Sequence, residues 1–531
     1  MKNNLKYIVS AVALFATFSA GATEFKKFPR SEAEDVNKIM SAEYWKLWNP
    51  DVQKEIDEGI EKYRKADFST ALGIDAEGAE VKVEQISHDF IFGAHIFNFN
   101  QLGKKELNDK YKALYGSLFN SATVAFYWNT FEPTPNNPRF IETEKDTEEF
   151  WNAEYEKNAN KAMANSKNLV EKASQPHWRR PATDPVIKYL KDNGVRIHGH
   201  PLVWGNRKHH FPQWYKNFLD EKTLKIINSG MAPAGWNDRD FIDKKIKSLP
   251  QEKYDELLGV AGKKIEELTE KRIKEIAERY GDVVDSWDVV NESATDYGAG
   301  KMVEGSKACN SHYGIMNPEY DFTAFKFAQK YLPNKALLNI NDYAIDKRYV
   351  DQITDRLNRG CKIDIIGHQQ HLFNPKISKD IAAGKNISTP KYLSEKLKTI
   401  SGFKLPIHMS EITITAPDNT PKGWDIQAII TENHYRLWFS KEHVMGITWW
   451  NVVDNCGVAG EPSMSGIFTR DMQPKSAFHA MNNLINNEWK TKLTLEAGKC
   501  GKIAFRGFKG KYKLTWQDKN GKDRVKIVHV K

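Results

Sequence analysis

Two stretches decide how this chain folds: Val283-Val284-Asp285-Ser286-Trp287-Asp288-Val289-Val290-Asn291-Glu292 and Leu405-Pro406-Ile407-His408-Met409-Ser410-Glu411. Each is an apolar, strand-like run that ends on a glutamate, and loop signals flank both. Working outward, six further runs have the same character: Phe90 to Phe97, Ser121 to Tyr127, Arg196 to Trp204, Ala336 to Ile340, Asp364 to Gln370 and Gly446 to Asn451. Helical spacing lies between several of them. The clearest case is Ile265, Leu268, Ile273, Ile276, Ala277 and Tyr280, just ahead of the Glu292 run. Buried strands alternating with helices predict an α/β fold, a (β/α)8 barrel rather than a doubly wound sheet. Active sites of such barrels form at the C-terminal strand ends, where Glu292 and Glu411 fall. Two carboxylates there are the minimal apparatus for breaking a glycosidic bond.

The flanks of the barrel read differently. Lys2 and Lys6, the apolar run Tyr7 to Phe18 and Ala20-Gly21-Ala22 predict a secretory signal peptide over residues 1–22, too short to anchor in a membrane. Its removal would place the protein in the periplasm or outside the cell. Residues 23–89 begin as a polar linker or docked arm. They continue with helical spacing at Ile56, Ile60 and Tyr63 and with a strand-like alternation from Glu80 to Ile86. The barrel is expected over 90–488. From 489 to 531, four short β-rich runs separated by glycine-containing turns predict a small antiparallel module. Its Phe508, Tyr512 and Trp516 are candidates either for sugar contact or for its own core.

Composition excludes several functions. The net charge is +9 among 531 residues, but lysines and arginines are scattered among acids without a basic block, so a nucleic-acid role is not indicated. No second apolar run spans a membrane. Four cysteines, Cys309, Cys361, Cys456 and Cys500, form neither a dense disulfide framework nor a close-spaced metal motif, and their pairing is not readable. His198 and His200 share a strand face with His209 and His210 nearby, yet no third ligand is evident, so no metal or cofactor is expected. The chain reads as a monomer.

The motifs around the glutamates resemble those of glycoside hydrolase family 10, the (β/α)8 endo-β-1,4-xylanases. Trp287-Asp288-Val289-Val290-Asn291-Glu292 is similar to the family's acid/base motif, and Glu411 matches its nucleophile. Gly199-His200-Pro201-Leu202-Val203-Trp204, Asn341-Asp342-Tyr343, Ile366-Gly367-His368-Gln369-Gln370-His371, Ile447-Thr448-Trp449-Trp450 and Pro474-Lys475-Ser476-Ala477-Phe478 follow in the family's order. The resemblance covers roughly Phe90 to Asn487. It implies that xylan is the substrate. Glu292 would be the general acid and then base, and Glu411 would attack the anomeric carbon. Asn291 would bond the 2-hydroxyl of the sugar at the cleavage point. His371 would hold the Glu411 carboxylate, and Gln369 would sit between the catalytic groups. His200 and Trp204 would contact the same sugar, Trp450 would lie beneath it, and Tyr343 would join the substrate contacts. Hydrogen bonds to the ionised Glu411 are expected to keep its pKa low.

The chain departs from the family in the segment after the second strand. A Glu-Asn-x-Met-Lys-Trp pattern, whose Asn and Lys grip the sugar on the non-reducing side, is replaced by Ala125-Phe126-Tyr127-Trp128-Asn129-Thr130-Phe131-Glu132-Pro133. The lysine is gone, and Tyr127, Trp128 and Asn129 are the expected substitutes. The family's His after the third-strand Trp is Gly205. Cys456-Gly457-Val458 stands where a second Trp would close the eighth-strand loop. Another β-glycan or a decorated xylan is therefore the alternative substrate. A non-enzymatic sugar-binding barrel is disfavoured because both glutamates are present.

Overall fold

The computed structural model describes residues 38–153, 180–206, 209–218, 221, 251–298, 309–311, 314–316, 319–457 and 461–531. The expected signal peptide lies outside them.

Eight parallel strands close into a barrel: β1 (Ile91–His95), β2 (Ser121–Ala125), β3 (Arg196–His200), β4 (Ser286–Asn291), β5 (Leu337–Asp342), β6 (Ile365–Leu372), β7 (Ile407–Ile414) and β8 (Val444–Trp449). Closure is made by β8 against β1, with Gly446 opposite Ile91 and Trp449 opposite Ala94. A two-residue strand, Val203–Trp204, continues from β3 and pairs with the end of β4, setting Trp204 beside Asn291. Register also brings Asn341 beside Asn291 and Gln369 beside Glu411. Pairing is irregular between Gly367 and Gln369, and again between Met409 and Ile412. Irregularities of this kind re-aim side chains, and these two fall beside Gln369 and Glu411.

Helices cover the barrel, and their starts are written locally. Asn49-Pro50, Asn374-Pro375, Thr389-Pro390 and Thr420-Pro421 each place a capping side chain before a first-turn proline, and each cap accepts a backbone N–H. Proline loses nothing there, because first-turn N–H groups have no intrahelical partner. The helix Gln251–Tyr280 contains the run expected before β4, with Ile265, Ile273, Ile276, Ala277 and Tyr280 buried. Among the described residues no helix is long and apolar enough to cross a membrane.

The chain ahead of the barrel is a docked arm. Its helix Pro50–Arg64 lies on the helix Pro421–Phe439, where Gln53 bonds Asn433 at 2.9 Å and buried Arg436 pairs with Asp57 and Glu488. Tyr44, Trp48, Ile56 and Ile60 join the main core.

The division into a β-containing extension over 23–89 and a separate module over 489–531 needs correcting. Residues Lys65–Ala71 pair antiparallel with Lys502–Phe508, and Glu80–Gln85 lies between Lys492–Glu496 and Gly510–Gln517 in a sheet completed by Asp523–Val530. Both ends of the chain therefore build one β module around Val81, Val83, Ile503, Phe505, Tyr512 and Leu514. Local alternation found these strands, but their pairing spans more than four hundred residues and leaves no local trace. Tyr512 and Phe508 are buried, Phe508 against Phe439 of the barrel side, and Trp516 packs half-buried on the module core. Cys361, Cys456 and Cys500 carry free thiols.

Candidate active site

The site stands at the C-terminal ends of β3 to β8. Glu411, on β7, is 4% exposed. Its Oε1 accepts from Asn341 Nδ2 at 2.8 Å and from Gln369 Nε2 at 3.0 Å. The same two amides also bond Asn291 Oδ1, at 2.9 and 3.1 Å. Four side chains from β4, β5, β6 and β7 are thus cross-linked. Ser410 donates to Asn341 Oδ1 and fixes which way that amide faces. Gly367 makes the arrangement possible, because any side chain there would overlap the Asn341 carboxamide. Gly199 does the same for Trp287, whose indole fills the space beside it.

Glu411 Oε2 lies 3.4 Å from His371 Nε2, and His371 Nδ1 lies 2.9 Å from Thr413 Oγ1. Burial pulls His371 down to about 4, so near neutrality the ring is uncharged. Thr413 then donates to Nδ1, leaving Nε2–H to face the carboxylate. Two donors on Oε1 do not keep Glu411 acidic, contrary to the expectation from sequence. Burial raises it to about 7. The Asp288 and Glu461 carboxylates add to the rise, and His200 and Asn341 oppose it. Taking a carboxylate out of water outweighs the hydrogen bonds that favour its charge.

Glu292 follows β4 with a φ of 55°, an uncommon conformation for a residue with a side chain. Its N–H bonds Asn341 O at 2.8 Å, and its Oε2 accepts from Trp204 Nε1 at 3.1 Å. Asp342 holds the following loop through Ala294 N–H at 2.9 Å, and burial raises its carboxyl to about 6. Backbone held in this region at such a place is a mark of a functional position.

Below, Asp288 Oδ2 accepts from His198 Nε2 at 2.9 Å and His200 Nδ1 at 2.7 Å. Burial opposes charge on Asp288, but the two histidines outweigh it and hold the carboxyl well below its ordinary value. His200 Nε2 reaches to 3.9 Å from Glu411 Oε1. His200, Asp288 and Glu411 offer ligand atoms within 4.8 Å of one another and are the residues that could hold a cation.

An aromatic floor lies over β1, β2 and β8. Trp450 meets His200 edge-on at 5.4 Å and Phe97 at 5.3 Å, and Tyr127 meets His200 at 5.5 Å and Trp204 at 5.9 Å. One expected substrate residue falls elsewhere. Trp128, only 2% exposed, donates to Glu132 Oε2 at 2.8 Å and packs against Phe211 and Trp214. It is wall rather than floor, because the short helix Trp128–Phe131 turns it inward. Tyr343 is 43% exposed, and it is Asn341 of that motif that enters the site. Asn341, Asp288 and Ser410 received no role from sequence. The available signal was polar residues at alternate positions of barrel strands that otherwise read as core.

Two carboxylates at the ends of β4 and β7, one held by an indole and the other by amides, define a glycoside hydrolase built on a (β/α)8 barrel. The chain belongs to glycosyl hydrolase family 10, whose family model matches residues 141–484. It is 30% identical to endo-1,4-beta-xylanase A of Halalkalibacterium halodurans over 200 residues, 37% of this chain and 42% of that protein. It is 25% identical to a thermostable celloxylanase of Thermoclostridium stercorarium over 354 residues, 62% of this chain and 79% of the relative. Among solved structures, native xylanase 10B of Thermotoga maritima aligns over 75% of this chain and 96% of its own, at 17% identity and a TM-score of 0.48.

Proposed function

We propose that the protein is an exported, retaining endo-β-1,4-xylanase that cleaves internal bonds of xylan by double displacement. Glu292 protonates the leaving oxygen while Glu411 attacks the anomeric carbon. Water activated by Glu292 then releases the glycosyl-enzyme. The observation that carries this reading is the asymmetric hold on Glu411. Asn341 and Gln369 hold Oε1, while Oε2, among the described residues, meets only His371 at 3.4 Å and is the oxygen assigned to the attack. Both amides also take Asn291 Oδ1, which leaves Asn291 Nδ2 as the group available to a 2-hydroxyl. Trp204 on Glu292 keeps the acid at its place before substrate arrives.

The test is reducing-sugar release from xylan, with product anomers followed by NMR. Glu292→Gln and Glu411→Gln are each expected to lower kcat by about a thousandfold or more. Undiminished release by either variant, or net inversion of the anomer, would overturn the assignment. The altered segment Ala125–Pro133 favours a second substrate reading, a decorated xylan or another β-glycan, within the same mechanism. Product profiles on linear and on glucuronic-acid- or arabinose-substituted xylan separate the two. Localisation in the periplasm or outside the cell is part of the proposal and rests on residues 1–22 alone. Fractionation of the native host, with N-terminal sequencing of the mature chain, checks it.

A further inference from the structure

The second-strand segment lacks the lysine of its family, yet a cation stands over the same part of the cleft. The Arg180 guanidinium carbon lies 4.4 Å from the Phe97 ring centroid and 5.5 Å from that of Tyr127. A guanidinium so placed is attracted to the ring faces. Its backbone is anchored from below. Arg180 O accepts from Arg139 Nη1 at 2.9 Å, and Arg139 also bonds Thr130 O at 2.9 Å and pairs with buried Asp146. The arginine is therefore held by a buried polar anchor.

Arg180 is half-buried, so its edge is accessible. Among the described residues its guanidinium meets no hydrogen-bond acceptor. Five N–H donors over an aromatic floor constitute a site for oxygen atoms. Glu461 lies in the same field. It acts electrostatically on Arg180, Tyr127 and Glu411, and its Oε2 accepts from Asn451 Nδ2 at 3.0 Å. A donor fork over aromatic rings suits the hydroxyls and the apolar face of a neutral pyranose. Position along the cleft follows from the rings. Trp204 bonds Glu292, Tyr127 lies 5.9 Å from Trp204, and Phe97 lies 5.8 Å beyond Tyr127. Arg180 thus stands one ring, Tyr127, beyond Trp204 and the acid.

We propose that Arg180 is the sugar-gripping cation of this cleft, binding hydroxyls of the neutral pyranose next to the cleaved unit. The inference rests on the glycosidase reading but names a residue and a position that reading does not require.

The experiment compares the full-length protein with Arg180→Ala and Arg180→Lys on four aryl glycosides: β-xyloside, β-xylobioside, β-glucoside and β-cellobioside. Within each variant the disaccharide-to-monosaccharide ratio of kcat/KM is read, which is independent of the fraction folded. Arg180→Ala is expected to lower this ratio by about 30-fold, chiefly through KM, because charge-assisted bonds to the second sugar are lost. Arg180→Lys should recover part of it. An unchanged ratio overturns the proposal. So does a loss confined to glucuronic-acid-bearing xylo-oligosaccharides, which would make the arginine a carboxylate reader. Turnover of the glucosides alone overturns the xylan reading, while their own ratio still decides the role of Arg180. No turnover of any of the four by the unaltered protein overturns both.

Discussion

On the β4 to β7 side of the cleft, Asn341 and Gln369 each bond both Asn291 and Glu411, so four strands are tied by directional contacts at 2.8 to 3.1 Å. On the β1, β2 and β8 side, Phe97, Tyr127 and Trp450 meet through ring edges at 5.3 to 5.8 Å. The first construction fixes atoms to a fraction of an ångström, which a bond-breaking step requires. The second presents area and tolerates change, which suits selection among polymers. On the second side Trp450 stands in a motif that resembles the family's, whereas Tyr127 lies in the segment that departs from it. The boundary between them is also the boundary between reaction chemistry and substrate choice.

The comparison breaks most visibly at Asn341. Replacing it with Ala removes a donor from Glu411 and a partner from Asn291 together, and leaves the carboxylate buried with fewer bonds. The expected outcome is a fall in kcat of about a hundredfold, with KM changed by less than about threefold. Steady-state kinetics on xylotetraose check it. A pure KM effect would mean that the amide grips substrate and that the two sides are not divided as described.

How much of this was legible is best judged residue by residue. Strand ends and helix starts follow from alternation and from Thr-Pro or Asn-Pro pairs, which act within a few residues, so the barrel could be read from sequence. Glu292 and Glu411 close their strands and carry distinctive neighbours, so they too stood out. Asn341 did not, because its role depends on the registers of β4, β5 and β6 and on the space left by Gly367. Tyr343 stood out instead, as an aromatic at a strand end, and it is 43% exposed. What escaped in the β module was its pairing, for a related reason: residues 65–85 find their partners more than four hundred positions away.

A smaller effect sharpens the electrostatic half of the comparison. In the proposed mechanism Glu411 is ionised to attack, and burial raises it to about 7 in the free site. The acid limb of kcat/KM is therefore expected to bend near pH 7 and fall about tenfold per pH unit below it. The sign for stability is opposite. A carboxyl whose folded value is raised contributes fully below its unfolded value, and that contribution is lost as pH rises through about 7. Glu411→Gln, inactive, should then melt at a higher temperature than the unaltered protein at pH 8 but not at pH 4. An acid limb near pH 4.5 would show that the amide donors, rather than burial, govern the nucleophile.

The smallest effect tests where the aromatic side ends. Trp128 is adjacent in sequence to Tyr127 but donates its N–H to buried Glu132 and packs on Phe211 and Trp214. Glu132 also accepts from Asn136 N–H at 2.7 Å, and buried Arg272 lies in its field. Trp128→Phe keeps most of the apolar contact and deletes one hydrogen bond to a buried carboxylate. A loss of about 1–3 kcal/mol in stability is expected, with kcat/KM on xylobiosides kept within about twofold. Denaturant melts and kinetics on the same preparation separate the two effects. A large rise in KM without loss of stability would return Trp128 to the floor, and the segment after β2 would then touch substrate along its length rather than at Tyr127 alone.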